Sequence, residues 1–258
     1  MKLDSNLIAI VTGGASGLGQ ALCSLLAQCK VKLIVADINT SLAESFIKTL
    51  PTEVYFVQTD VSSESSIQTL IASTLKLFKA IHIVINCAGI HNLWPLITDD
   101  GKVAPTSEFN KVFNTNVLGT FNMTKYSAKQ MIIQPFINDF KEKGVIINIS
   151  SIQGIEGMKS RIIYAASKGA IIAMTLPMAR DLGKYGIRVC CIAPGAFMTP
   201  MQGEMSQEVK KQDEKQIPLG RIGEAKEFAD FVLGMIENSY ITGVTARLDG
   251  GMIISADL

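Results

Sequence analysis

The chain has 258 residues, of which 48% are hydrophobic and 18% charged, with a formal net charge of +1. That length fits one domain with a large buried core. The near-neutral balance gives no electrostatic reason to expect nucleic acid or a membrane surface as partner, and no apolar run in the sequence approaches the roughly 18 residues of a bilayer span. The first six residues run almost straight into the first strand and leave no room for a cleavable leader. The expected location is cytoplasmic, or the mitochondrial matrix if the source is eukaryotic and an uncleaved signal directs it there. Cys23, Cys29, Cys87, Cys190 and Cys191 form no Cys-x-x-Cys pair and read as small buried hydrophobes. His82 and His91 are too few for a His-based metal site, so no metal is expected.

Residues 7–11 (Leu-Ile-Ala-Ile-Val) are a short apolar run of the kind that makes a strand buried on both faces. Gly13, Gly17 and Gly19 follow, interleaved with Ser16 and Leu18, and apolar periodicity over 20–28 predicts a helix. Strand, turn and helix in this order suit phosphate binding. Glycines let the backbone approach closely, and a helix N-terminus offers free N–H groups to a pyrophosphate. The spacing is Gly-x-x-x-Gly-x-Gly, and an ordinary strand-to-helix turn is the competing reading. A second strand over 31–36 ends at Asp37, where the hydroxyls of an adenosine ribose would lie. Its charge would repel a 2′-phosphate, and Ala15, Ser16 and Ile38 supply no compensating cation, which favours NAD over NADP. As a helix cap Asp37 is less well placed than Asn39, Thr40 or Ser41.

A third strand over 54–57 is closed by Asp60 and Val61; Asp60 reads equally as an adenine contact or as a cap for the helix starting near Ser63. That helix leads to a strand over 81–85, ending in Asn86, Cys87, Ala88 and Gly89, small residues where open α/β sheets bind ligands. One long helix is predicted over 107–139, with Asn116 and a Gly119 that implies close packing or a bulge. A strand over 145–149 delivers Ser150 and Ser151, and a helix carrying Tyr164 and Lys168 runs to about Gly183. A strand over 187–192 is followed by Pro194 and Gly195, and a last helix over 224–237 precedes a strand over 244–248. Alternating strands and helices with short connections predict an α/β fold: a Rossmann-type doubly wound parallel sheet of about seven strands, in a single domain over 1–258.

Tyr164 and Lys168 are four residues apart and share one helix face. A phenol next to an ammonium exchanges protons more readily than a free one, so the pair suits acid/base work on an alcohol or ketone. Ser151, 13 residues upstream of the tyrosine, would hold the same substrate oxygen. Ser150 is its rival, although successive residues at a strand end point to opposite sides.

These motifs, in this order and across essentially the whole chain, resemble the short-chain dehydrogenase/reductase family. The resemblance rests on Thr12-Gly13-x-x-x-Gly17-x-Gly19, Asn86-x-Ala88-Gly89, Asn116 in Asn-Val-x-Gly, Ser151, Tyr164 and Lys168. It implies that Tyr164 is the acid/base, that Lys168 assists it and holds the nicotinamide ribose, that Ser151 polarises the substrate oxygen, and that Asn116 distorts its helix and holds a water. It also implies cofactor contacts by Gly13, Ser16, Gly17, Leu18, Gly19, Asp37, Asp60, Val61, Asn86, Ala88 and Gly89, and by Pro194, Gly195, Phe197 and Thr199 in a segment closing over the nicotinamide. The family's usual second Asn is Cys87 here. The 13-residue spacing to the tyrosine selects Ser151 over Ser150.

Residues 144–148, 174–182 and 247–250 are similar to the type 2 3-hydroxyacyl-CoA dehydrogenase branch of that family. This implies interconversion of 3-hydroxyacyl-CoA and 3-oxoacyl-CoA, with hydroxysteroid or alcohol side activity, in a homotetramer or homodimer. In that branch, segments such as 91–107 and 134–143 help shape an acyl-CoA site; Lys102, Lys141 and Lys143 could meet CoA phosphates, although the plain reading of each is a solvated lysine. Residues 196–219, with Phe197, Met198, Met201, Met205, Ile217 and Leu219, are expected to form an apolar lid. The competing functions are a 3-oxoacyl reductase of fatty-acid or polyester synthesis, against which Asp37 argues, and an NAD-binding scaffold that has lost catalysis.

Overall fold

A computed structural model describes residues 1–199 and 207–254, the side chains of 207–209, 212 and 213 excepted. Met201 and Met205 of the expected lid lie outside the described residues. Seven parallel strands form one sheet in the order β3-β2-β1-β4-β5-β6-β7. They are β1 (Ile8–Thr12), β2 (Lys32–Asp37), β3 (Val54–Gln58), β4 (Ile83–Asn86), β5 (Gly144–Ile149), β6 (Ile187–Pro194) and β7 (Thr245–Leu248). Every residue of β1, β4, β5 and β6 is buried, as expected for central strands covered on both faces, whereas the outer β3 and β7 are only partly covered. Alternate residues of one strand feed opposite faces. Ala9 and Val11 of β1 join a core with Leu22, Leu26, Phe228 and Val232, while Ile10 joins another with Ile67, Leu70, Met123 and Met131.

Helices α1 (Gly17–Gln28) and α8 (Ala225–Glu237) supply the first of these layers, and α3 (Glu64–Phe78) and α5 (Gly119–Ile133) the second. The chain winds outward from β1 to β3, then returns to lay β4 on the other side of β1. The crevice at the carboxyl ends of β1 and β4 is therefore the switch point at which such sheets bind ligands. Asn39 caps α2 (Thr40–Ile47), its side chain accepting from the Leu42 N–H at 3.1 Å, and Ser63 caps α3. Asp60 instead accepts from the Ser62 N–H at 2.9 Å in the loop ahead of that cap.

The single helix expected over 107–139 is divided. An α-helix, α4 (Thr106–Phe113), passes into a π-turn (Asn114–Leu118) and then into α5, which ends at Ile133. Both readings of Gly119 hold: it follows the π-turn, and a Cβ there would stand 3.0 Å from Val61. Pro135 explains the early end, because the residue before a proline is driven out of the helical region; Gln134 has ψ 157. Its amide then grips both backbone groups of Ile81, at 2.7 and 2.8 Å.

Residues 134–143 accordingly run to the amino end of β5, where the Lys143 N–H donates to Gly186 O at 2.7 Å. This is the sheet edge opposite the crevice, so the expectation that this segment, with Lys141 and Lys143, shapes a substrate site is corrected. Lys143 Nζ donates to Ile132 O and stands over the Phe136 ring. Lys102 pairs with Asp100 at 2.6 Å, both exposed.

A second correction concerns α6 (Ile162–Gly183), which has 22 residues and an 18-residue stretch of mean hydropathy 1.4, and is by length and composition apolar enough to cross a membrane. Here the helix packs beside β5 and β6, with Ile163, Ile171, Thr175 and Ala179 buried. α7 (Gln207–Gln216) lies between β6 and α8 in sequence.

Candidate active site

A cavity of about 1010 Å³ opens along the carboxyl edge of the sheet. Gly13, Ser16, Leu18, Asp37 and Asp60 line it on the β2–β3 side, and Ser151, Tyr164 and Lys168 on the β5–β6 side.

The glycine turn is built for close approach. Gly13 has φ +64°, and a Cβ on it would stand 2.8 Å from Ala88 Cα; one on Gly19 would stand 2.2 Å from Gly13 O. The turn thus packs backbone on backbone, stitched by Thr12 Oγ1, which accepts from the Ala88 N–H at 3.2 Å. Ser16, at the N-cap of α1, makes no side-chain cap bond, so the first N–H groups of that helix remain available to an anion. Asp37 accepts from the Ala15 N–H and the Asn39 N–H, each at 3.0 Å, which fixes a carboxylate beside the turn.

At the other end, Lys168 is only 5% exposed and donates from Nζ to Ile149 O at 2.9 Å. The same ammonium is 5.6 Å from the centre of the Tyr164 ring. Gly89 makes room for it: a Cβ there would stand 3.4 Å from Lys168 Nζ and 3.3 Å from Asn116 Oδ1. Asn116, wholly buried in the π-turn, accepts from the Ile90 N–H and donates to Ile90 O, both at 2.9 Å, and donates to Ser167 Oγ at 3.0 Å. Ser167 in turn donates to Tyr164 O at 2.7 Å. The side chain of Asn116 is thus engaged in the frame around Lys168.

The two serines separate as their opposite directions require. Ser150 Oγ donates to Lys168 O at 2.8 Å, within the protein, while Ser151 Oγ accepts from the Gln153 N–H at 3.1 Å and keeps its own proton for donation elsewhere.

Other expected residues fall in different places. Ala88, Gly89, Val61, Gly17, Pro194, Gly195 and Thr199 line the cavity. Asn86 does not: its amide, 2% exposed, joins Asn148 at 2.8 Å and Thr124 at 3.2 Å beneath the floor, so its part is to hold β4 to β5. Phe197 touches the cavity, but its ring is buried edge-on against Phe228. Burial pushes the Cys87 thiol up to about 11, so it stays protonated, a packing group.

Sequence reasoning missed Gln153, Arg161 and His91, which line the cavity near Tyr164. Arg161, three residues before the tyrosine at the N-cap of α6, is the one that chain position could have revealed.

The turn, the free helix end and the carboxylate after β2 fit a dinucleotide, and the buried Lys168 beside Tyr164 fits proton exchange at a substrate oxygen. Comparison with known proteins agrees with that geometry. The family profile described as short chain dehydrogenase matches residues 7–210. A "3-hydroxyacyl-CoA dehydrogenase type-2" of Drosophila melanogaster is 38% identical over 250 residues, covering 96% of this chain and 97% of that protein. A "3-oxoacyl-(acyl-carrier-protein) reductase FabG" of Thermotoga maritima is 33% identical over 98% of this chain and 100% of its own. Among solved structures, the 3-hydroxyacyl-CoA dehydrogenase type-2 from Mycobacterium avium superposes with a TM-score of 0.93 at 30% identity, over 99% of both chains. With a profile match over most of its length and relatives of similar size, the chain belongs to the short-chain dehydrogenase family, whose members use NAD(P).

Proposed function

We propose that this enzyme uses NAD to interconvert 3-hydroxyacyl-CoA and 3-oxoacyl-CoA. The observation that carries the chemistry is the buried Lys168 held between Ile149 O and the Tyr164 ring. Relatives of matching length named for 3-hydroxyacyl-CoA and 3-oxoacyl substrates support the substrate class.

In this reading Tyr164 takes the proton of the substrate hydroxyl during oxidation and returns it to the carbonyl during reduction. Ser151 donates a hydrogen bond to the same oxygen, and Lys168 sets a positive charge beside the Tyr164 ring while reaching a ribose. Asn116 positions Lys168 through Ile90 and Ser167. A bound nicotinamide dinucleotide supplies the hydride chemistry. Gly13, Gly17 and Gly19 with the start of α1 would hold its pyrophosphate and Asp37 its adenosine ribose, and Ala88, Gly89 and Thr199 would flank its other half. Asp37 supports NAD over NADP, since no cation of the turn offsets its charge.

The described flanks of the 196–219 segment support its reading as a lid. Ala196, Phe197 and Thr199 line the cavity, and Ile217 packs with Ile222 and Met252 beside it. The protein assembles as a homotetramer or homodimer, supported by the half-exposed Phe109, Leu118, Phe121 and Leu176 on α4 to α6; light scattering after size exclusion reads the state directly.

The test is reduction of acetoacetyl-CoA with NADH and NADPH in parallel. Efficient turnover with NADH and little with NADPH is expected. Preference for NADPH would favour a synthetic 3-oxoacyl reductase, and no turnover despite NADH binding would overturn the substrate class.

A further inference from the structure

Beyond β7 the described residues form no further helix or strand, yet Met252 and Ile254 both line the cavity. Met252, only 4% exposed, packs with Ile152, Ile217 and Ile222, and Ala196 and Ile254 lie against the same cluster. Ile152 directly follows Ser151 and also lines the cavity. This apolar wall therefore begins one residue from the group that would hold the substrate oxygen.

Charged side chains hold the segment in that place. Arg247 of β7 pairs through Nε with Asp249 at 2.6 Å, and through Nη1 with Glu156, in the loop ahead of α6. Each of the three also grips one backbone group of the segment. Asp249 accepts from the Gly251 N–H at 3.0 Å, Arg247 donates from Nη2 to Met252 O at 2.7 Å, and Glu156 accepts from the Ile254 N–H at 3.1 Å. Glu156 is itself fixed to the wall, since its N–H donates to Ile152 O at 2.8 Å. Hydrogen bonds from Arg247, and then from the Ile254 N–H, hold the Glu156 carboxyl below its ordinary value, so the clamp stays charged at neutral pH. An isolated ion pair this exposed contributes little to stability. Here a planar fork joins two carboxylates, and the three charges together fix the path of one short segment.

We propose that Glu156, Arg247 and Asp249 are positioning residues that hold Met252 and Ile254 against the alkyl arm of the substrate, and so set the acyl length that the enzyme accepts. The inference rests on the 3-hydroxyacyl reading given above. In that reading the thioester arm leads out to a carrier too large to be enclosed, and the alkyl arm takes the apolar wall. None of the three clamp residues is among the described residues that line the cavity, so they act through the segment and not on the reacting atoms.

The experiment compares NADH-dependent reduction of acetoacetyl-CoA and of 3-oxooctanoyl-CoA by the wild type, Glu156→Ala, Glu156→Gln and Ile254→Trp. Glu156→Ala frees the Ile254 N–H and one side of the Arg247 fork, and the wall can then yield to a longer chain. The ratio of kcat/KM for the longer substrate to that for the shorter should rise about four-fold or more, the worth of one buried methylene, chiefly through KM. Glu156→Gln keeps an acceptor for the Ile254 N–H and should recover part of the wild-type ratio. Ile254→Trp fills the wall without touching the clamp and should lower the ratio by a similar factor. Loss of folded enzyme reduces turnover of both substrates alike and leaves the ratio where it was, so the ratio separates positioning from stability. An unmoved ratio in Glu156→Ala would overturn the proposal, as would an unmoved ratio in Ile254→Trp. If the wild type reduces neither thioester while NADH still binds, the substrate reading falls and this inference with it. If it reduces them and the ratios do not move, only the clamp falls.

Discussion

Replacing Glu142 by alanine should destabilise the fold severely while sparing the chemistry. The carboxylate is 5% exposed and accepts from Arg188 Nε at 2.7 Å; the arginine side chain is 7% exposed. Arg188 also donates from Nη1 to Met235 O and Ile241 O, each at 3.0 Å, so it clamps the end of α8 and the approach to β7 to the start of β6. Without Glu142 the guanidinium keeps those carbonyls but loses its buried counter-charge here, a change that costs about 3–5 kcal/mol. For a domain of this size that lowers Tm by about 10 °C. Burial pushes the Glu142 carboxyl up, but hydrogen bonds from Asn138, Arg188 and Ser239 outweigh it and hold the group below its ordinary value. A carboxyl depressed in the folded state stabilises above its unfolded pKa and loses that contribution as pH falls through the folded value. The gap between wild type and Glu142→Ala should therefore be full at pH 7 and narrow below about pH 4. Urea unfolding at both pH values measures it, with kcat at low temperature as the control, because Glu142 sits at the sheet edge opposite the cavity. A variant within about 1 kcal/mol of wild type at pH 7 would refute the reasoning.

Tyr164→Phe removes the phenol proton and should lower kcat at least about 100-fold while NADH binding, followed by fluorescence, persists; near-normal turnover would remove Tyr164 from its proposed role. Asp37→Asn keeps an acceptor for the Ala15 N–H but drops the charge, so the preference for NAD over NADP should narrow without loss of the turn. An unchanged ratio of the two kcat/KM values would mean that Asp37 does not face the ribose. Gly19→Ala places a Cβ 2.2 Å from Gly13 O, which only movement of the turn can relieve. It should weaken dinucleotide binding about ten-fold or more, through a strain of about 1–3 kcal/mol, and calorimetric titration with NADH checks it.

The framework of this molecule was legible in the chain because it is written in local patterns. Short apolar runs such as 7–11 read as central strands, and small residues at the carboxyl ends of strands marked the crevice. Tyr164, Lys168 and Ser151 were visible because helix periodicity and strand ends are local geometry. What local pattern could not supply was everything decided by contact between distant segments. The bulge at 114–118 forms where Asn116 reaches Ile90 and Ser167, and the end of α5 is pinned by Gln134 on Ile81. The side of the sheet on which residues 134–143 emerge follows from chain direction at β5. The inward turn of Asn86 follows from its neighbours Asn148 and Thr124. The Arg161–His91 pair joins residues 70 apart in sequence, and neither residue announces the other. Periodicity fixed which residues face a core or a crevice; only the packing of one segment on another decided which of them meet there.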